Sequence, residues 1–182
     1  MTAGVEVLMV PGFTGSGPHH WQSLWQRDDP AFRRVEQRDW DRPEPREWTR
    51  ALEDGIRQTA SRLLLVGHSL GCITIVRWAR DYRAAGVAAA LLVAPSDVEA
   101  ESAPLEVRGF APIPLEPLPF RSVVVASDDD PLVTPQRARR FAGAWGAEFV
   151  SVGDCGHLNT ASGHGPWPQG RVLLARLLAD LR

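Results

Sequence analysis

Short apolar runs alternate with longer amphipathic stretches along most of the chain. Val5–Val10 reads as a buried strand closed by Pro11-Gly12, and His19–Arg27 as a helix. A weaker strand is expected near Arg34–Arg38. Glu47–Ser61 has helical spacing, with Trp48, Leu52 and Ile56 recurring at intervals of four. Arg62–Val66 is a second clear strand, and Leu70–Ala84 a helix ended by Gly86. Val87–Ala94 is apolar almost throughout, as expected of a strand covered on both faces in a parallel sheet. Ser122–Ala126 and Glu148–Val152 complete the strands, Pro135–Trp145 and Gln169–Leu181 the helices. Strands and helices in alternation predict a three-layer α/β/α sandwich around a six-stranded parallel sheet.

Two stretches break this rhythm. Ala103–Phe120 holds five prolines, at positions 104, 112, 114, 117 and 119. Proline removes the donors that a regular helix or central strand needs, so an irregular surface loop is expected there. Gly153–Gly165 also reads as loop. With no internal repeat or linker, the 182 residues are expected to form a single domain over 1–182.

Composition narrows the function classes. A chain of this length should bury roughly 70% of its unfolded surface without needing staples. Twenty basic residues against twenty-two acidic ones give a formal charge of −2, which argues against nucleic acid or an anionic membrane as main partner. Lysine is absent, so every basic side chain is arginine, a habit of composition rather than a sign of function. No apolar run approaches the ~20 residues of a membrane helix, and Met1–Glu6 has neither the basic nor the apolar part of a leader. Cys72 and Cys155 are too few for a disulfide framework and are not spaced as a metal site. The expectation is a reduced, cytoplasmic protein needing no metal or cofactor.

The strongest chemical signal is Gly67-His68-Ser69-Leu70-Gly71, between a strand and a helix. Chance yields such a G-x-S-x-G run in roughly 5–10% of chains this long, and the flanking strand and helix make chance much rarer. The serine of such a sharp turn sits at a helix N-terminus, whose free N–H groups favour an oxyanion. A serine hydroxyl is a weak nucleophile and needs a base held by a third group. In strand–turn–helix hydrolases the order is Ser, acid, His, each beyond a strand end. Asp128-Asp129-Asp130-Pro131 follows one strand and Gly156-His157 the next. Asp130 is the candidate acid because Pro131 fixes the turn after it; Asp128 and Asp129 read as turn-forming residues. His157 is the candidate base, with His164 as its rival, better explained as ordering its glycine-rich loop. His68 reads as packing, and His19 and His20 lie in the first loop.

An oxyanion site needs two N–H donors. Leu70 N–H is one candidate; Phe13 N–H, in Pro11–Gly17, is the other, with Thr14 as alternative. The P-loop pattern is missing, which weakens a phosphate reading of those glycines. Seven tryptophans are many for this length. Most should pack the core; Trp21, Trp40 and Trp167 are candidate pocket walls. Cys72 reads as a buried packing residue, and Cys155 lies close to His157 in sequence.

With these residues in view, the chain resembles the small serine-hydrolase family typified by retinoblastoma-binding protein 9. The matching stretches are Val10–Phe13, Gly17–Trp21, Gly67–Cys72, Ala94–Asp97, Ser127–Pro131 and Gly156–Asn159, running on to Ser162–Pro168. The resemblance implies a minimal α/β-hydrolase fold without a cap domain. It also implies that Ser69, Asp130 and His157 are the catalytic residues, with no cofactor. The expected activity is carboxylesterase-like hydrolysis of a small ester, amide or thioester. A shallow, loop-walled pocket would favour small acyl groups. The rival classes are an acyltransferase or thioesterase, which differs only in acceptor, and a protein-binding module on the same scaffold. Ala103–Phe120 is where least aligns.

Overall fold

The computed structural model describes residues 4–82 and 84–181; Met1–Ala3, where part of the leader reading fell, lie outside them. Its centre is a six-stranded, all-parallel sheet: β1 (Val5–Val10), β2 (Phe32–Arg34), β3 (Arg62–His68), β4 (Val87–Val93), β5 (Arg121–Ala126) and β6 (Glu148–Ser151). The spatial order is β2-β1-β3-β4-β5-β6. Five helices cover it: α1 (Trp21–Asp28), α2 (Pro45–Arg57), α3 (Leu70–Asp81), α4 (Pro135–Trp145) and α5 (Pro168–Ala179).

The two-residue period of each strand divides the core into two layers. Leu8, Val10, Leu63, Leu65 and Leu92 face one side with Leu52, Ile73, Trp78 and Phe141, which come from α2, α3 and α4. Val7, Met9, Leu64, Val66 and Leu91 face the other with Trp21, Trp25, Leu174 and Leu177, from α1 and α5. Both faces are therefore apolar, as the near-continuous hydrophobic runs require. No helix of the described residues is long and apolar enough to cross a membrane.

Three element ends differ from the sequence expectation by more than two residues. The second strand lies at Phe32–Arg34, not Arg34–Arg38. It is the sheet edge, where short charged strands are usual; only Phe32 is buried, and its neighbours Arg33 and Arg34 hid the signal. Helix α2 stops at Arg57, short of Ser61. Thr59 turns instead to donate to Glu6 Oε1 (2.7 Å) and accept from Ser61 N–H, local bonds that compete with a helix. Helix α3 stops at Asp81, because Tyr82 is extended. The proline-rich segment is irregular apart from a short 3-10 turn at Leu105–Phe110.

The tightest constraint lies where α3 crosses the end of β1. A Cβ on Gly71 would stand 2.0 Å from Val10 O, and one on Gly12 would stand 2.8 Å from both His68 O and Ser69 Cβ. Gly71→Ala must therefore separate helix and strand. It is expected to cost roughly 2–3 kcal/mol, read as a fall in melting temperature of about 4–12 °C.

Candidate active site

The chain leaves β1 toward β2 on one side and returns over it to β3, so the loops after β1 and β3 part at the carboxyl ends of neighbouring strands. Such a switch point opens a crevice in a parallel sheet. Ser69 stands there, between β3 and α3, with φ 55° and ψ −123°. Thr14, Ala94 and Leu158 also have positive φ (64°, 47° and 49°), one each in the loops after β1, β4 and β6. Strained non-glycine backbone thus rings one end of the sheet.

The structure brings the three predicted polar residues into one line. His157 Nε2 lies 2.8 Å from Ser69 Oγ. His157 Nδ1 lies 2.9 and 3.0 Å from the two oxygens of Asp130. Leu132 N–H donates to Asp130 Oδ1 at 2.8 Å, so the turn that Pro131 sets also holds the carboxylate. All three residues are buried. A carboxylate on Nδ1 fixes the tautomer with its hydrogen there, leaving Nε2 to accept from the serine hydroxyl.

Sequence reasoning missed three supports of this line. Ser96, just beyond β4, places its hydroxyl 2.6 Å from Ser69 Oγ. With the serine hydrogen directed to His157, Ser96 O–H donates to Ser69 Oγ. Asp129, read as a turn residue, has its Oδ1 accept from Gly156 N–H (2.7 Å) and Ser127 O–H (2.6 Å). These bonds keep its carboxyl below the usual range and tie the acid loop to the histidine loop. Gln22 is buried and donates to Val66 O (3.0 Å) while accepting from Ser16 O–H (2.6 Å), which pins the first loop to the end of β3. The available signal for Ser96 was its place after a strand; for the other two there was none.

The oxyanion candidates are separated by hydrogen bonding. Thr14 N–H already donates to Trp40 O at 3.0 Å. Phe13 N–H makes no such backbone bond among the described residues, and Leu70 opens α3 at a position without an intrahelical acceptor. Phe13 and Ser69 line a common cleft of about 310 Å³ with His20, Leu132 and His157.

The three tryptophans offered as pocket walls do not line that cleft. Trp21 and Trp167 are buried and packed with Trp25, at ring distances of 4.7 to 5.8 Å. Trp21 Nε1–H donates to Leu158 O and Trp25 Nε1–H to Pro166 O, so this cluster underlies the loop that carries His157. Large rings with one polar edge are suited to that buried task. Trp40 lies behind the first loop, against Gly15 and Trp48.

The remaining candidates have other partners. His68 Nε2–H donates to the His157 carbonyl (2.9 Å), and its ring lies between those of His20 and His157. His164 Nδ1 is 3.3 Å from Ser162 Oγ. Cys72 is buried against Val93 O, and burial pushes its thiol pKa up. Cys155 bonds Val152 O and is likewise pushed up by burial and the nearby aspartates. Among the described residues no group of three or more His, Cys, Asp or Glu is placed to hold a metal ion.

A family model described as serine hydrolase matches residues 7–176. A protein described as a YdeN-like hydrolase, from Pectobacterium atrosepticum, has a crystal structure with a TM-score of 0.88 to this one. It is 32% identical over 97% of this chain and 92% of its own. The ydeN gene product of B. subtilis matches at TM-score 0.75 and 19% identity, over 96% and 98% of the two chains. A thermophilic esterase from Thermogutta terrifontis matches at 0.69 and 17%, over 98% and 90%. The last two share the fold. Comparison with curated protein sequences finds no match.

The buried histidine row makes stability depend on pH. Burial first, then the charges of Arg34 and His157, push the pKa of His20 from 6.5 to about 4. His68 is pushed well below 6.5, again mainly by burial. As pH falls from 6.5 toward about 4, the unfolded chain binds protons that the folded chain refuses, so stability decreases. The expected result is a melting temperature that drops steadily across that window. His20 Nδ1 caps α1 by accepting from Gln22 N–H, a task asparagine can also perform. His20→Asn should therefore flatten the slope while leaving the neutral-pH melting temperature within a few degrees.

Proposed function

The chain belongs to the serine hydrolase family, and from that premise we propose that it hydrolyses a small ester, amide or thioester through an acyl-enzyme on Ser69. The observation that carries the reading is the unbroken line from Asp130 through His157 to Ser69, with contacts of 2.8 to 3.0 Å. Ser69 Oγ attacks the substrate carbonyl carbon while His157 Nε2 takes its proton. Asp130 holds the imidazole and balances the imidazolium charge. The carbonyl oxygen, now an oxyanion, accepts from Leu70 and Phe13 N–H. His157 then returns the proton to the leaving group as the carbon–heteroatom bond breaks. In the second half, water attacks the acyl carbon, giving its proton to His157, and the collapse restores the Ser69 hydroxyl and frees the acid.

The carboxylesterase-like character and the closer kinship with the retinoblastoma-binding protein 9 type belong to the same proposal. The kinship rests on the stretch Gly156–Pro168, whose Leu158 and Pro166 carbonyls meet Trp21 and Trp25. Its small-molecule substrate fits a cleft that no inserted domain covers.

Labelling by a fluorophosphonate tests the nucleophile directly. Wild type should label, Ser69→Ala should not, and His157→Ala should label far more slowly. Asp130→Asn should lower kcat by about 10⁴-fold, because the amide favours the wrong tautomer. Asp129→Asn, which keeps an acceptor for Gly156 N–H, should stay within about tenfold of wild type. Labelling that persists in Ser69→Ala overturns the reading.

A further inference from the structure

A second, smaller cavity of about 40 Å³ adjoins the cleft. Phe13 and Leu132 line both spaces. Leu70 and Ser96 also face the small cavity, so it begins at one proposed oxyanion donor and at the hydroxyl that touches Ser69 Oγ. Its deeper wall is Val98, Ala103 and Val107, all buried and apolar. The one acid on it, Asp97, is bonded to Arg137 Nε at 2.9 Å, so no free charge points inward.

The reaction geometry assigns this space. A carbonyl held on Ser69 has two substituents, and they must leave in different directions. The leaving group has to receive a proton from His157 Nε2, and His157 lines the larger cleft but not the small cavity. The acyl chain is left with the other direction. Resting on the acyl-enzyme reading above, we infer that the small cavity is the acyl-binding subsite and that the substrates are esters or thioesters of short, unbranched acids of about two to four carbons. At ~10–15 Å³ for each water-sized group, 40 Å³ holds about three groups beyond the carbonyl carbon.

The wall is built not to yield. Arg108 donates to the carbonyls of Ala103 (3.2 Å) and Glu101 (2.7 Å), across the turn that bears Val107. Arg77 reaches Phe110 O at 2.8 Å, and Ile113 N–H donates to Glu99 Oε1 at 2.7 Å. The proline-rich segment is thus fastened at several points and serves as a fixed ruler for chain length. A longer acyl chain has to displace packed groups, whereas the leaving group enters a cleft of about 310 Å³.

The test is a series of p-nitrophenyl esters (acetate, butyrate, hexanoate, octanoate), which holds the leaving group constant. The ratio kcat/KM should peak at acetate or butyrate and be at least about tenfold lower for octanoate. Val107→Ala should shift the optimum toward hexanoate. Ala103→Val, filling the cavity from another side, should lower butyrate against acetate by about fivefold or more. Two variants of opposite sense keep the test decisive if one of them folds poorly. Equal or better turnover of octanoate by wild type, lost in Ser69→Ala, overturns the subsite but leaves the nucleophile standing. No turnover of any ester by a chain whose Ser69 still labels also overturns it. Turnover or labelling that survives in Ser69→Ala defeats the parent reading instead.

Discussion

The close crossing of α3 over the end of β1 is the contact on which the site depends. With no side chain on Gly71 or Gly12, two stretches of backbone meet at distances that any Cβ would forbid. That approach brings the loop after β1 beside the turn after β3. It also holds Ser69 in a conformation of φ 55°, which an isolated chain would abandon. The strain is maintained because the turn cannot relax: Ser69 N–H is bonded to Val93 O, and Gly71 is wedged against Val10. Two hydrophobic layers clamp the sheet from both sides, so the cost is spread over the whole core.

The histidine is positioned by a different device. Its loop has little regular structure, and β6 before it is short and half-buried. Trp21, Trp25 and Trp167 supply the missing rigidity, as a buried aromatic base in which the Trp21 and Trp25 indole N–H groups take up carbonyls of that loop. His68 fastens the His157 carbonyl from the side of Ser69, and Asp129 fastens Gly156 from the side of Asp130. The imidazole is therefore held by neighbours from three strand ends, while within its own segment the short turn at Thr160–Ser162, capped by Asn159, adds local order. This accounts for the abundance of tryptophan near the chain ends better than a role in contacting substrate.

Burial of uncharged polar groups sets the electrostatics. His20 and His68 are neutral by desolvation and lie in a row toward His157 with tilted rings, so they add shape and hydrogen bonds without adding charge. Asp130, by contrast, is bonded to Leu132 N–H and His157, which satisfies a buried carboxylate as the interior demands. Ser96 closes the row of hydroxyl and imidazole groups at its far end.

Much of this was legible in the sequence, for reasons of range. Element type and buried face follow from periods of two and 3.6 residues, which are local; hence the parallel sheet and the placing of Ser69, Asp130 and His157 beyond strand ends. Where charge masked the period, as at Arg33 and Arg34, the strand was misplaced. Contacts across long separations were not legible. Trp21 with Leu158, Ser69 with Ser96 and Thr14 with Trp40 depend on strand order and on how loops close over one edge. The sequence by itself determined which groups sit at the carboxyl edge of the sheet. Only the tertiary structure decided which of them touch, because packing partners are chosen by the three-dimensional order of the strands, and no local period encodes that order.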